Sequence, residues 1–244
     1  MEITYTKAEL APIQKKNIPC HVAIIMDGNR RWAEKTNPLQ GHWAGAEIVL
    51  DIVRAASDLG IKVLTLYGFS TENWTRSAVE VVALTEIIEV FLRDNRERMV
   101  DEGVRLHIIG DITPFPESLK QEVALSLDAT KESKTIDLVV GLNYGGRDDI
   151  RRAFEKMVDA IEQGTLDKTT ITEATIATFL DTAPFDDPDL LIRTSGEMRV
   201  SNFLLWQLAY TEIYVSQLLW PDFTSQELTQ AIMSYQQRRR RIGS

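Results

Sequence analysis

Apolar residues fall in short runs separated by longer stretches with helical spacing. HVAIIM (21–26), KVLTLYGF (62–69), VRLHIIG (104–110), IDLVVGL (136–142), DLLIRT (189–194) and TEIYVS (211–216) read as strands. Ala46, Val49, Leu50, Val53 and Ala56 mark one face of a helix over 43–59. Val81, Leu84, Ile87, Ile88, Phe91 and Leu92 do the same for a helix over 79–99. Further helices are predicted over 116–129, 147–161, 173–180 and 224–240, with a short segment around 201–208. Strands alternating with helices predict an α/β fold: a single domain with a mostly parallel central sheet of about six strands, flanked by helices on both faces.

Composition supports that outline. A chain of 244 residues, 44% hydrophobic and 26% charged, can bury a substantial core. No run rich in Pro, Gly or Ser divides it, so the division read here is a partly flexible N-terminal segment, 1–20, and one domain, 21–244. With 27 basic and 36 acidic residues the formal charge is −9, which argues against nucleic acid as a partner. The one dense basic run, Arg238 to Arg241, suits the end of a helix. The single cysteine, Cys20, cannot form an internal disulfide and reads as structural, which points to a reducing, cytoplasmic compartment. The first residues carry no long apolar stretch, so no signal peptide is expected. No run of 18 apolar residues occurs, so any membrane contact is expected to be peripheral.

Ligands of open parallel sheets bind at the carboxyl ends of the strands. The residues there are Asp27-Gly28-Asn29-Arg30-Arg31, Ser70-Thr71-Glu72-Asn73-Trp74-Thr75-Arg76, Gly110-Asp111, Asn143-Tyr144-Gly145-Gly146-Arg147 and Arg193-Thr194-Ser195-Gly196-Glu197, with Arg199 close behind. One such loop is ordinary turn chemistry, but several on one edge suggest an anionic ligand. Arg forks match phosphate oxygens, and Gly lets backbone approach them. An Asp within such a cluster makes sense if Mg²⁺ lies between it and the phosphate. No G-x-x-x-x-G-K-[ST], no G-x-G-x-x-G and no helical D-D-x-x-D pattern is present.

The segments HVAIIMDGNRRWA (21–33), GHWAG (41–45), LTLYGFSTENWTR (64–76), GLNYGGR (141–147), LLIRTSGEMRVSNFLLWQLAYTEIYV (190–215) and WPDF (220–223) together resemble the cis-prenyltransferase family. The resemblance runs from His21 to about Gly243. It implies a homodimer and a hydrophobic tunnel leading from the phosphate edge. It implies Mg²⁺, farnesyl diphosphate as starter, and isopentenyl diphosphate added repeatedly with cis geometry. The implied product is a long-chain, undecaprenyl-type diphosphate, a lipid-carrier precursor for cell-wall glycan synthesis, with release at a membrane.

The resemblance also implies roles. Asp27 matches an essential aspartate that engages Mg²⁺ and assists departure of the allylic diphosphate; read alone, it would be a helix N-cap. Gly28, Asn29, Arg30, Arg31, Trp32 and His42 fall on the starter side. Ser70, Asn73 and Arg76 match a trio at the reacting ends, where Ser70 and Asn73 help position or relay the proton lost from the isopentenyl unit; the diphosphate or a water takes it. Arg193, Arg199 and Ser201 match the isopentenyl diphosphate site, Glu212 a carboxylate near the same metal, and Arg241-Ile242-Gly243 a terminal motif reaching the partner subunit. Candidate tunnel residues are Gly68, Leu84, Ile88, Phe91, Leu92 and Val139.

Two positions depart from the pattern. Pro38 stands where many relatives carry an Arg four residues before the His, with Lys35 as a stand-in, and Ser77 replaces a Pro, with only a loop effect expected. Two other readings are a non-catalytic partner subunit and a phosphate-binding module without chemistry.

Overall fold

Every residue of β1 (His21–Ile25) is buried, as a central strand covered on both faces must be. The computed structural model describes residues 4–6, 10–14, 17–34 and 37–238. Around β1 stand β2 (Val63–Ser70), β3 (Val104–Ile109), β4 (Ile136–Tyr144), β5 (Leu190–Arg193) and β6 (Glu212–Val215). They form one sheet in the order β3-β4-β2-β1-β5-β6, with every pair parallel. The chain builds outward from β1 in one direction through β2 and in the other through β5. Such a reversal opens a crevice at the carboxyl ends of the strands.

The helices are α1 (Asn29–Trp32), α2 (Pro38–Glu47), α3 (Val49–Leu59), α4 (Ala78–Asp101), α5 (Glu117–Thr130), α6 (Gly146–Glu162), α7 (Glu173–Ala177) and α8 (Ser225–Gln236). The helix predicted over 43–59 is two helices that part at Ile48. α2 starts earlier than its apolar spacing shows, because Asn37 caps it by accepting from the Leu39 N–H at 3.1 Å and Pro38 suits a first turn. Ser77 does more than shape a loop: its side chain accepts from the Glu80 N–H at 3.3 Å and caps α4. The segment 201–208 is a series of turns.

Strand alternation divides the core in two. Val22, Ile24, Leu64 and Leu66 pack with α3, α4 and α8 through Val53, Leu92 and Ile232. Ala23, Ile25, Val139 and Leu191 face the other way, onto Tyr144, Phe203 and Leu204. Parts of the N-terminal segment lie against α8 and α3: Tyr5 is buried with its hydroxyl on the Ser225 carbonyl, the Gln14 N–H donates to the Gln236 side chain, and the Thr4 N–H donates to Asp58. Cys20 is exposed, and its N–H donates to Asp189. No helix among the described residues is long and apolar enough to cross a membrane.

Candidate active site

Asp27 follows β1 after one residue, Met26, but it does not cap α1. The capping position belongs to Gly28, whose φ of 110° is open to glycine, and a side chain there would strike Leu219 at about 3 Å. Asp27 is free to serve the cleft instead. Its N–H donates to Thr194 Oγ1 at 2.8 Å, its Oδ2 accepts from Arg193 Nη2 at 2.8 Å, and Arg31 Nη2 stands 3.5 Å from Oδ1. Burial pushes its carboxyl up, but the hydrogen bond and charge of Arg193, helped by Arg31 and Ser195, outweigh this and hold it below the usual carboxylate range.

Arg193 closes β5 and is buried. Beyond Asp27 it donates to Ser201 Oγ at 2.7 Å and to the Arg199 carbonyl. One guanidinium thus ties the Asp27 loop to the loop carrying Arg199 and Ser201. Arg31 donates to the Ser195 hydroxyl and carbonyl and lies 3.5 Å from Glu197, which in turn pairs with Arg199. Ser195, Ser201, Asn202 and Leu204 all have positive φ, an uncommon state for such residues and one that clusters at functional sites.

A second cluster forms where α2 meets the start of α4. Gly41 sits so close to the Asn29 carbonyl that a side chain would overlap it, so α1 and α2 pack backbone to backbone and bring His42 beside the cleft. Arg76 Nη1 donates to Glu80 Oε1 at 2.7 Å, while His42 Nε2 and Arg30 Nε stand 3.6 and 3.8 Å from the same oxygen. Burial and the Arg76 charge lower the His42 pKa, with Glu80 partly opposing them. Glu80 is a site residue that the loop-by-loop reading missed. Its signal was present, as Glu80 stands four residues after Arg76 and three after the Ser77 cap.

Ser70 and Asn73 bond to each other: the Ser70 N–H donates to Asn73 Oδ1 at 2.9 Å, and the Ser70 side chain accepts from the Asn73 backbone. Glu72 holds Asn202 through a 2.8 Å hydrogen bond, which anchors the Ser201 loop. The Trp74 indole donates to Asn143 at 2.8 Å and its ring packs on Phe69 and Phe115.

These loops surround a polar cleft of about 490 Å³, lined by Asp27, Arg30, Arg31, His42, Arg76 and Arg199 among others. Through Met26, Asn29 and His42 it adjoins an apolar pocket of about 100 Å³. Gly68, Leu84, Ile88, Phe91 and Leu92 line that pocket as expected, but Val139 does not. Strand period two turns Val139 into the opposite core and Val140 into the pocket.

Ser70, Asn73, Arg193 and Ser201 stand behind the cleft lining rather than in it, and Arg193 and Ser201 reach it through Asp27 and Arg199; Trp32 and Glu212 have partners elsewhere. Trp32 is not among the cleft-lining residues, and its indole donates to Asp222 at 2.8 Å. Glu212 opens β6 opposite Leu190, whereas Arg193 is level with Val215. Within one chain Glu212 therefore lies three residues below the edge that carries Arg193, about 10 Å away along the strands. Its carboxylate is held there by Arg238 at 2.7 Å. Lys35 and Arg241-Ile242-Gly243 lie outside the described residues. Among the described residues no group of three or more His, Cys, Asp or Glu could hold a metal. Asp27, a carboxylate lining the cleft beside Arg31 and Arg193, fits a cation shared with phosphate oxygens, as Mg²⁺ commonly is.

A family described as "Putative undecaprenyl diphosphate synthase" matches residues 25–243. An isoprenyl transferase from Chlamydia abortus is 43% identical over 249 residues, covering 100% of both chains. One from Halalkalibacterium halodurans is 46% identical over 233 residues, covering 95% of this chain and 91% of the relative. Among solved structures, lavandulyl diphosphate synthase from Lavandula x intermedia, in complex with dimethylallyl diphosphate, superposes with a TM-score of 0.91 at 38% identity, covering 94% of this chain and 100% of that one. A probable undecaprenyl diphosphate synthase from Campylobacter jejuni gives 0.79 at 31% identity, covering 93% and 100%.

Proposed function

This chain belongs to the undecaprenyl diphosphate synthase family of isoprenyl transferases, and from that premise we propose that it condenses isopentenyl diphosphate repeatedly onto farnesyl diphosphate to make a long-chain polyprenyl diphosphate. The observation that carries this reading is the junction of a cationic cleft with an apolar pocket through Met26, Asn29 and His42. A diphosphate head and a prenyl tail need that pairing of surfaces. The similar lavandulyl diphosphate synthase was solved with an allylic diphosphate, which supports an allylic starter here.

In the proposed reaction the starter's diphosphate sits among Arg30, Arg31, His42 and the backbone at Gly28 and Asn29. The isopentenyl diphosphate takes Arg199, Ser201 and the Arg193 fork. The allylic C–O bond breaks, its electron pair leaves with the diphosphate, and the isopentenyl double bond forms the new C–C bond. Mg²⁺ held by Asp27 and the diphosphate would neutralise charge on the leaving group. Ser70 and Asn73, already paired with each other, position the reacting end. The lost proton goes to the released diphosphate or a bound water.

A homodimer fits the surface. Ile150, Phe154 and Val158 recur at every fourth residue of α6 and are exposed, as are Tyr210 and Ile213 at the β6 edge of the sheet. In such a dimer a metal role for Glu212 would have to be played toward the other copy's cleft.

The test is incubation with farnesyl diphosphate, labelled isopentenyl diphosphate and Mg²⁺, with and without EDTA, followed by sizing of the lipid. Long products that vanish with EDTA support the proposal. No incorporation by folded protein refutes it.

A further inference from the structure

The two glycines after β4 have the composition of a phosphate loop, but no residue from 143 to 147 lines the cleft. What lies close to them is the chain itself. A side chain at Gly145 would meet Thr71 Oγ1 at 2.5 Å and Asn202 Nδ2 at 2.7 Å, and one at Gly146 would meet the Leu205 nitrogen at 2.8 Å. The first N–H groups of a helix are open to an anion unless something in the fold takes them. In α6 they are taken by Asn202. Its carbonyl accepts from the Gly146 N–H at 2.6 Å, and its Oδ1 accepts from the Arg147 N–H at 2.9 Å.

The remaining polar atom of that side chain, Nδ2, donates to Glu72 Oε1 at 2.8 Å. Glu72 sits in the 3₁₀ helix Thr71–Thr75, one residue from Asn73 and two from Ser70. Burial pushes the Glu72 carboxyl up, but the Asn202 amide, its own N–H and the Ser70 and Thr71 hydroxyls outweigh this and hold it below the usual range. Asn202 and Ser201 have φ of 62° and 46°, so the turn that carries Ser201 is held in an uncommon state by these bonds. Beneath it, Tyr67 stacks on Phe203 at 4.3 Å and its hydroxyl reaches the Tyr144 and Ser201 carbonyls at 3.1 and 3.4 Å. One side chain thus joins the Ser201 turn, the start of α6 and the Ser70–Asn73 turn.

Resting on the prenyl-transfer reading above, we propose that Asn202 is a positioning residue that fixes Ser201 and the Ser70–Asn73 pair at one spacing. The isopentenyl unit is then held by its diphosphate and at its reacting end by a single frame. The glycines after β4 serve that frame by letting Asn202 and Leu205 seat against the start of α6, and the helix end has no N–H left over for a phosphate. The starter side, with Arg30 and His42, makes no bond to Asn202, so the frame governs the second substrate and not the first.

The test exploits the direction of the Glu72 bond. Asn202→Asp keeps the size of the side chain and an acceptor for Arg147, but sets an oxygen against the Glu72 carboxylate. The KM for isopentenyl diphosphate should rise by about ten-fold, the worth of one hydrogen bond to a charged group, with farnesyl diphosphate affinity unchanged. The double variant Asn202→Asp/Glu72→Gln reverses donor and acceptor across the same gap and should recover most of that loss. An unchanged KM in Asn202→Asp overturns the proposal. So does a double variant no better than the single one, or an equal loss of farnesyl diphosphate affinity, which would mark general damage. Glu72→Ala, at an exposed position, cuts the bond from the other side and keeps the test open if Asn202→Asp does not fold. It should raise the same KM, and an unchanged value overturns the proposal. Absence of incorporation by the unaltered protein refutes the prenyl-transfer reading itself, and the role of Asn202 falls with it.

Discussion

Asp27 and Arg193 are separated by 166 positions in the chain and meet at 2.8 Å, Oδ2 to Nη2. They meet because β1 and β5 are neighbours in the sheet, with Ile25 level with Arg193. The same guanidinium reaches Ser201. The carboxylate assigned to the metal and the hydroxyl assigned to the second diphosphate thus share one cationic brace.

Asp27→Asn keeps the shape of this brace and removes its negative charge. Loss of a group aimed at developing charge typically costs about 10²–10³ in turnover. The expected outcome is a loss of that order in single-turnover rate with farnesyl diphosphate binding little changed. A loss below about ten-fold would mean that the carboxylate is not part of the charge-stabilising set.

Glu80 gathers Arg30, His42 and Arg76 at the mouth of the apolar pocket. In Glu80→Gln the Arg76 fork loses its ionic partner, and a small misplacement of this kind can cost up to about 10²-fold. Turnover should fall by at least about ten-fold. The His42 pKa should drop further, since the Glu80 charge raises it. NMR titration of His42 distinguishes this from general damage, because a disordered site would move that value back toward 6.5.

A side chain at Gly68 points at Val140 Cγ1, 3.1 Å from the added Cβ, and at Leu142 Cδ2, 3.4 Å away. Gly68→Leu should therefore fill the pocket and shorten the product, with the cleft and the binding of diphosphate intact. Sizing the lipid products decides the point, and an unchanged length would show that the tail does not pass Gly68.

Two buried histidines make stability depend on pH. Burial is the largest cause of the lowered His21 and His42 pKa values, each below an ordinary 6.5. At His42, Arg76 and Arg30 add to the effect and Glu80 opposes it. At His21 the Asp186 backbone and the Asp189 and Asp186 charges oppose it. Between these lowered values and 6.5 the unfolded chain binds more protons than the folded one, so stability rises with pH in that window and is lost as pH falls. The urea midpoint should be lower at about pH 5.5 than at about pH 7.5, with a smaller difference in His42→Gln. Equal midpoints at the two pH values would mean that both histidines titrate normally in the fold.

The strands were legible because buried parallel strands are continuous apolar runs, and HVAIIM and IDLVVGL overlap β1 and β4 closely. The loop residues Asp27, Arg31, Arg76 and Arg199 were legible as one group because a parallel sheet sends all its carboxyl ends to one edge, whereas His42, inside α2, was reached only through the family resemblance. What escaped depended on facing rather than on residue type. Val139 and Val140 are equally apolar, and only the pleat decides which one meets the pocket. Glu212 stands in a matching segment, but parallel register carries it to the far end of its strand. Glu80 stands near the start of α4, and only the fold shows Arg30, His42 and Arg76 converging on it from three separate elements.

The position of β1 at the middle of the sheet also bears on how the chain matures. The apolar pocket is assembled from residues up to Leu142, apart from Trp220, and those strands and helices can pair as they are made. The cleft needs Arg193, Glu197 and Arg199, and the close seat of Gly28 needs Leu219. During synthesis the greasy part of the site is therefore nearly complete before the second side of the charged cleft is made. A nascent chain halted before β5 exposes one flank of β1 and carries Arg30, Arg31, His42 and Arg76 without the Arg193, Glu197 and Arg199 side of the cleft. The last quarter of the sequence both seals the sheet centre and completes the cleft, so the fold and the site are finished by the same stretch of polypeptide.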